Sequence, residues 1–272
     1  MNHTYTKPEL WAQLQALHIP RDRVVLMHSS LRLVGQIEGG ATALLDVLIE
    51  YFTATGGLFC IPTHTWANLW ATDKEFTLDV CDPHTCLGAF SDLAVADGRG
   101  IRSENPTHSM VVFGRRDKAE AFVAGELDVT SGTAPESCYG KLYRAGGYVL
   151  LVGVSHARNT YLHCVDEMLS VPNRITDTPT EVKIRRASGD VVTRRVNTHH
   201  STLTPDISAR FPQYETAFRY HGAITDGLLG NAPVQACDAR IMKDVMELIQ
   251  SRADRDPLSG EAALPPLWYV RK

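Results

Sequence analysis

The sequence has no basic excess and no long apolar run. Its 272 residues carry 27 lysines and arginines against 31 aspartates and glutamates, for a formal net charge of −4. Because a surface that binds nucleic acid needs an excess of positive charge, this balance argues against a nucleic-acid partner. No apolar stretch reaches the roughly 20 residues that span a bilayer. The first residues also lack the pattern of a signal peptide, so we expect a cytoplasmic protein without a membrane partner.

Paired cysteine motifs are missing as well. The six cysteines are scattered along the chain and none forms a C-x-x-C pair, which argues against a disulfide framework and for reduced thiols. The spacing does not favour bound zinc, and no metal is expected. The segment that holds His64, Cys81, His84 and Cys86 keeps a metal site as an alternative.

The order of the apolar segments predicts an α/β fold. Four short apolar runs fit buried strands, at residues 23–27, 58–61, 110–114 and 146–153. Strand, helix and strand follow one another over residues 23–61, which predicts a parallel pair joined by a right-handed crossover. Residues 181–186 and 190–196 alternate apolar and charged side chains around a turn, as in an antiparallel hairpin.

We therefore expect a three-layer α/β/α architecture with a central mixed, partly parallel sheet, plus a C-terminal antiparallel hairpin and helices. Two helices are predicted near the end of the chain, over residues 206–221 and 237–252, with a glycine-rich loop between them. Residues 1–272 are expected to form a single domain, with a small subdomain inserted around residues 176–200 as a variant of this arrangement.

A histidine and two carboxylates follow the most apolar predicted strand. His163, Asp166 and Glu167 lie in a segment, residues 159–167, that is predicted to begin a helix. On a helix, both carboxylates can share a face with the imidazole. Such a group can take a proton from a nucleophile near neutral pH, and open α/β sheets place their chemistry beyond the strand ends. The same spacing is also typical of a surface contact or of a buried core histidine.

A second polar segment follows the first predicted strand. His28–Leu31, with Gly35 close behind, offers serine hydroxyls and backbone N–H groups that suit a phosphate. Its spacing matches neither the P-loop nor the dinucleotide-binding pattern. The alternative is a capped turn that leads into a helix.

Two further loops contain candidate residues. Arg102–Ser109 is a dense polar loop in which His108 is a candidate for facing a site. Thr133–Leu142 includes Cys138, which nothing local activates as a nucleophile, so a small buried cysteine is the favoured interpretation.

Taken in order, these motifs resemble the aminoglycoside 3-N-acetyltransferase family. The similar segments are His28–Leu31 with Gly35, Gly39 and Gly40; Gly57–Thr63; Arg102–Ser109; Ser137–Leu142; and Val149–Gly153 with Asn159–His163. The family uses acetyl-CoA and does not have the common GNAT acetyltransferase fold. The resemblance therefore implies an enzyme that transfers an acetyl group from acetyl-CoA to an amine.

The resemblance also implies roles for individual residues. His163 would be the general base in a direct transfer that forms no acyl-enzyme. The family pattern His-x-x-Glu is changed here, because Asp166 occupies the acidic position and Glu167 follows it. Either carboxylate could orient the imidazole, and Asp166 is favoured. The residues expected to hold acetyl-CoA are His28, Ser29, Ser30, Leu31, Gly35, Ser137, Tyr139 and Gly140. Backbone N–H groups around Ser29–Leu31 would stabilise the oxyanion.

The family name suggests the 3-amino group of a 2-deoxystreptamine aminoglycoside as the acceptor. Such a polycation calls for an acidic cleft, and Asp73, Glu75 and Asp79 lie in the irregular segment that would line one. The residues expected to contact the acceptor are Trp66, Asp82, Asn105 and His108.

A homodimer is left open. Three alternative functions also remain at this point. One is the same acetyl transfer to a non-antibiotic amine metabolite. Another is a CoA- or nucleotide-binding module without catalysis. The third is a metal-dependent hydrolase, whose ligands would come from His64, His84, Cys86, His108 and His163.

Overall fold

A computed structural model describes residues 3–271. The strands in this range are β1 (Thr4–Tyr5), β2 (Val24–Ser29), β3 (Gln36–Ile37), β4 (Leu58–Pro62), β5 (Leu78–Asp79), β6 (Ile101–Arg102), β7 (Met110–Phe113), β8 (Tyr148–Val152), β9 (Thr180–Arg185), β10 (Val191–Val196), β11 (Ile224–Leu229) and β12 (Ala232–Asp238). The α-helices are α1 (Lys7–Ala16), α2 (Leu31–Val34), α3 (Gly40–Thr53), α4 (Ala89–Asp97), α5 (Arg116–Val123), α6 (Cys138–Arg144), α7 (Tyr161–Met168), α8 (Glu215–Tyr220) and α9 (Ala239–Arg252). Short 3₁₀ helices cover Trp66–Leu69, Glu126–Asp128, His156–Arg158, Ile207–Tyr214 and Pro266–Trp268.

Seven strands form the central sheet, in the order β11-β12-β8-β2-β4-β7-β6. The pairs β2–β4 and β2–β8 are parallel, whereas every pair farther from the centre is antiparallel. The predicted mixed, partly parallel sheet is confirmed, as is the parallel pairing of the first two apolar strands.

Apolar side chains cover both faces of this sheet, as the near-continuous apolar runs of its central strands require. Leu26 and Leu151 point to one face and pack with α5, α6, α7 and α9. Val25 and Leu150 point to the other face and pack with α1, α3 and α4. Two helical layers therefore enclose the sheet, which confirms the three-layer α/β/α prediction. Among residues 3–271, no helix combines the length and the apolar character needed to cross a membrane.

The predicted antiparallel hairpin is β9–β10, and β9 also pairs in parallel with β5. This three-stranded sheet has a small apolar cluster of its own, built on Leu78, Val182, Ile184 and Val196. The chain leaves the hairpin at Val196, directly before Asn197 and His199. The hairpin thus brings these residues back toward the central sheet.

Near the C-terminus the structure departs from the predicted pattern. The glycine-rich loop is in fact the antiparallel hairpin β11–β12, which extends the central sheet beyond β8. Residues 207–214 form a 3₁₀ helix that contains Pro212, and the α-helix begins only at Glu215. Proline removes a backbone donor, which is consistent with this break in the predicted helix.

Candidate active site

Four neighbouring strands of the central sheet each bring one histidine to the same edge. His28 lies in β2 near its carboxyl end, and His64 follows β4 by two residues. Because β7 is antiparallel to β4, His108 reaches this edge just before its strand begins. His163 lies on α7, which follows β8. All four histidines line one cavity of about 840 Å³.

A fifth histidine, His199, joins this group from the segment after β10. The ring centroids of His64 and His108 are 4.6 Å apart, and those of His108 and His199 are 4.7 Å apart. His199 stacks on His163 with a centroid distance of 3.9 Å and an interplanar angle of 15°. Phe211 packs edge-on against His163 at 4.8 Å. The imidazoles thus form a wall of the cavity.

Burial lowers the pKa of each of these imidazoles. It lowers the pKa of His28 to about 3 and that of His199 to about 4. The pKa values of His64, His108 and His163 are also well below the usual value, first because of burial and then because of neighbouring histidines. The imidazoles are therefore neutral at pH 7, and an unprotonated imidazole can accept a proton.

A chain of hydrogen bonds links His199 to a carboxylate. Oγ1 of Thr133 lies 2.6 Å from Oε1 of Glu167 and 2.7 Å from Nε2 of His199. Ser131 Oγ donates to the same carboxylate, at 2.6 Å from Oε2. A hydroxyl that donates its proton to a carboxylate can only accept from the imidazole. Nε2 of His199 therefore carries the proton, and Nδ1 is left as the basic nitrogen.

The hydrogen bond to His163 that was favoured for Asp166 is not formed, because Nδ1 of His163 and Oδ1 of Asp166 both lack a hydrogen-bond partner among residues 3–271. Its side chain is buried and its Oδ2 accepts a hydrogen bond of 3.0 Å from Nε of Arg174. Arg174 also donates to Oδ1 of Asp256, at 2.8 Å. Burial raises the pKa of Asp166 to about 7, partly offset by the guanidinium. This ion pair connects α7 to the following loops, so Glu167 is the carboxylate joined to the cavity histidines.

The segment predicted to hold acetyl-CoA reaches the cavity in part. His28, Ser29, Ser30 and Leu31 all line it. The N–H of Ser30 is already donated to the carbonyl of Val152, at 2.9 Å, so it is not free to stabilise an oxyanion as expected. Leu31 is the first residue of α2, where an N–H has no partner within the helix. Nε2 of His28 is buried without a hydrogen-bond partner among residues 3–271, so a ligand group could bind there.

Four other predicted cofactor residues are absent from the cavity lining. Gly35 has φ +88°, and a Cβ there would lie 2.5 Å from Nδ2 of Asn231. Ser137 caps α6 by accepting from the N–H of Tyr139. The hydroxyl of Tyr139 lies 2.7 Å from Nε2 of His64, so this hydrogen bond fixes the orientation of a cavity histidine. A Cβ at Gly140 would lie 1.8 Å from the carbonyl oxygen of Pro135. These residues shape the loops around the site.

Of the residues expected to contact the acceptor, two line the cavity and two do not. Trp66 and His108 line the cavity. Asn105 is buried behind it, where its Oδ1 accepts from the N–H of His108 at 2.8 Å and its Nδ2 donates to Glu126. Asn105 therefore positions the loop that carries His108.

The expected acidic cleft does not form. Asp73, Glu75, Asp79 and Asp82 are all absent from the cavity lining. Three of them have basic partners elsewhere: Glu75 pairs with Lys183 at 2.9 Å, Asp79 with Arg185 at 3.1 Å, and Asp82 with His84 at 2.6 Å. The lysine and arginine come from β9, so the acidic segment anchors the hairpin instead of facing the cavity.

Ser131 and His199 were not among the predicted site residues, and Thr133 was included only as the first residue of the Thr133–Leu142 loop, without a role of its own. The adjacent histidines at positions 199 and 200 were a signal that could have been noticed, because they directly follow a predicted hairpin. The two hydroxyl residues gave no such signal, because only the fold places them beside Glu167.

Two further predictions concern the cysteines and metals. Cys138 is buried, and burial raises its thiol pKa well above the usual value, which opposes a thiolate nucleophile. Within residues 3–271, no three histidine, cysteine or acidic side chains are placed to hold one metal ion. His84, a proposed ligand of the hydrolase alternative, is 79% exposed and lies against Asp82.

Comparison with known proteins identifies the family. The family model described as aminoglycoside 3-N-acetyltransferase matches residues 26–250. The chain belongs to this family. Among curated relatives, aminoglycoside N(3)-acetyltransferase IV of Salmonella sp is 30% identical over 175 residues, which cover 63% of this chain and 62% of that protein. Matches to the curated relatives thus span less than two thirds of their length.

Solved structures of acetyltransferases share the fold. A histidine-to-alanine variant of AAC(3)-IVa in complex with apramycin has a TM-score of 0.74 at 25% identity, over 100% of this chain and 99% of that one. AAC-IIIb in a binary complex with CoASH has a TM-score of 0.75 at 23% identity, over 94% of this chain and 100% of that one. The aminoglycoside 3-N-acetyltransferase fold therefore extends over essentially the whole of this chain.

Proposed function

We propose that this chain transfers an acetyl group from acetyl-CoA to an amine bound in the histidine-lined cavity. The observation that carries the proposal is the stacked pair of neutral imidazoles, His163 and His199, at the edge where the parallel strands end. Membership of a family of acyltransferases, and the likeness to a CoA-bound relative, support the donor. A cavity of about 840 Å³ is within the range of small-molecule sites.

In the proposed reaction, His163 accepts the proton that the amine loses as it attacks. The amine nitrogen forms a bond to the thioester carbonyl carbon, the carbon–sulfur bond breaks, and CoA leaves as the thiolate. The proton then passes from His163 to that thiolate or to solvent. The products are an amide and CoA, and no covalent enzyme intermediate is needed, which agrees with the protonated, buried thiol of Cys138.

His199 supports His163 in this proposal. Its ring lies face to face with His163 and remains neutral, so its π-electrons can stabilise the imidazolium that forms on His163. The negative charge of Glu167, connected through Thr133, acts in the same direction. The carboxylate that supports catalysis would thus be Glu167, acting through two intervening side chains.

Two acceptor classes follow from the comparisons and the cavity. The relatives' names point to aminoglycosides, with the 3-amino group of 2-deoxystreptamine as the acetylated position. A non-antibiotic amine metabolite is the second candidate. It is favoured by the cavity lining, where Asp206 supplies the one carboxylate that the described residues place there.

The proposed function is tested by measuring release of the CoA thiol from acetyl-CoA with a panel of primary amines that includes aminoglycosides. Release that depends on the amine, with a matching amide product, is expected. With acetyl-CoA alone, no stable acetylated protein is expected. An acetyl group retained on the wild type and lost from Cys138→Ala would contradict direct transfer, and an absence of release with every amine would contradict the function itself.

Replacing Glu167 by glutamine is expected to lower kcat by roughly ten- to a hundredfold, since a hydrogen bond to a charged group contributes about 1.5–3 kcal/mol. The KM for acetyl-CoA should change little, because Glu167 is not in the cavity lining. Steady-state kinetics of purified variants measure both values. Thr133→Val should reproduce the effect, while Thr133→Ser should restore most of the activity. Equal kcat values for Glu167→Gln and the wild type would exclude a catalytic role for the hydrogen-bond chain from Glu167 to His199.

A further inference from the structure

One side of the cavity is apolar, and three of its five side chains are exposed to solvent. We call this surface the tryptophan wall; it consists of Trp66, Leu69, Trp70, Leu87 and Phe90. The indoles of Trp66 and Trp70 lie edge to face, 6.1 Å apart, and are 39% and 68% exposed. Leu87 is also exposed. Large apolar side chains grouped at the mouth of a cavity are typical of a surface that binds a ligand.

The charged groups of the cavity lining do not suit a polycation. Within the described range its single carboxylate is that of Asp206, which already accepts from the N–H and the hydroxyl of Ser208, at 3.0 and 2.6 Å. Arg32 and Arg158 also line the cavity, and neither forms an ion pair with a carboxylate among residues 3–271. Five of the six histidines in the lining are neutral, because burial lowers their pKa values. The lining therefore offers a polycation a single carboxylate, and each additional ammonium group on a ligand would lose its water without gaining an acidic partner there.

The arginines and the tryptophans lie on different strand ends. Arg32 and Arg158 follow the neighbouring parallel strands β2 and β8, beside the Ser29–Leu31 segment. The tryptophan wall is built from segments that follow β4. An anionic cofactor suits the first region, since guanidinium groups favour phosphates. The tryptophan wall is then the region available to the acceptor.

On the basis of the proposed acetyl transfer, we propose that the acceptor is a primary amine with one positive charge and a flat apolar body that packs against the tryptophan wall. The indole faces bury that body and also attract the single ammonium group before it loses its proton. The acceptor amine then lies in the same cavity as His163, the proposed proton acceptor, and His199, which supports it. Polycationic aminoglycosides would be poor acceptors for this chain.

The first test compares acceptors at saturating acetyl-CoA. The kcat/KM for benzylamine is expected to exceed that for apramycin or sisomicin by about tenfold or more, a difference equivalent to about 1.4 kcal/mol. Cyclohexylmethylamine, an apolar amine without a flat ring, should fall between them. An aminoglycoside that matches or exceeds benzylamine would overturn the inference while leaving acetyl transfer intact.

The second test uses variants of the wall. Trp66→Ala and Trp70→Ala are each expected to raise the KM for benzylamine about tenfold, and Trp70→Phe should raise it less, because a flat ring remains. The KM for acetyl-CoA should stay within about twofold of wild type. Tyr220→Ala is the matched control, since Tyr220 is an exposed aromatic residue that does not line the cavity. A rise in the KM for acetyl-CoA alone would assign the tryptophans to the cofactor and overturn the proposal.

Discussion

Replacing His163 by alanine is expected to reduce kcat by about a hundred- to ten-thousandfold, the usual contribution of a positioned general base. The imidazole lies in the cavity lining and stacks on His199, so its loss removes both the proton acceptor and one face of the histidine pair. His199 would remain, with its basic nitrogen set by the hydrogen bond from Nε2 to Thr133. The residual rate of His163→Ala therefore measures how far His199 can replace it.

Binding of CoA is the control for this variant. The dissociation constant for CoA, measured by calorimetry, should remain within about threefold of wild type, because a general base contributes to the transition state more than to the bound cofactor. Histidine-to-glutamine substitution at the same position keeps much of the side-chain volume and should be as inactive. Full activity in either variant would remove His163 from the mechanism.

Acidification is expected to destabilise the fold steeply between about pH 6.5 and pH 4.5. Burial lowers the pKa values of six histidines: His28, His64, His108, His156, His163 and His199. In the unfolded chain these groups bind protons below their ordinary pKa of about 6.5. In the folded state they remain neutral. The unfolded state therefore takes up more protons as the pH falls, and the free energy of unfolding decreases.

Three carboxyl groups act in the opposite direction. Burial raises the pKa of Asp166 to about 7, and it also raises the pKa values of Glu126 and Glu167. Between their ordinary and raised pKa values, these groups are protonated in the folded state alone, so they stabilise the fold on acidification. The six histidines outnumber these three carboxyls, so unfolding is still expected to take up protons below about pH 6.5, and the free energy of unfolding still falls.

Urea unfolding at pH 7, 6, 5.5 and 5 measures this effect. Since a domain has only about 5–15 kcal/mol of stability in total, the urea midpoint should fall sharply across the series. His156→Gln is the control, because His156 is buried outside the cavity beside Phe218 and its substitution removes one titrating group. The slope should decrease by about 1.4 kcal/mol per pH unit in this variant. A urea midpoint that is constant from pH 7 to pH 5 would contradict the pKa assignments.

The central strands were predictable because each is a short, nearly continuous run of apolar residues. The long helices were predictable where apolar residues recur with helical spacing. Residues 58–61 and 146–153 are short apolar runs, and both became buried strands of the sheet. The strands β11 and β12 were missed, because Gly227, Gly230 and Pro233 belong to types that are depleted in strands. These strands extend the sheet because β12 pairs with the edge of β8. The apolar pattern of the sequence does not show which strand edge is available for pairing.

The candidate site was predictable where its residues are close in sequence. The helix that carries His163, Asp166 and Glu167 is present as α7, and its spacing limited the choice of supporting acid to two residues. Arg174 lies outside the motif, and its ion pair with Asp166 is the reason that we propose Glu167 as the supporting acid. His199 meets His163 only through the hairpin, so no local pattern could reveal the stacked pair.

The route by which His199 reaches the cavity also bears on folding. The five buried cavity histidines extend from residue 28 to residue 199, so most of the chain must fold before these five rings meet. Contacts between residues this far apart in sequence have a high loop-closure cost and tend to form late. The β9–β10 hairpin pairs with the two-residue strand β5 and with no strand of the central sheet among residues 3–271. We expect local opening of this hairpin to leave the seven-stranded sheet intact. The segment that carries His199 would then be held to the site only by short contacts, such as the bridge between Ile175 and His199 and the hydrogen bond between Thr133 and His199.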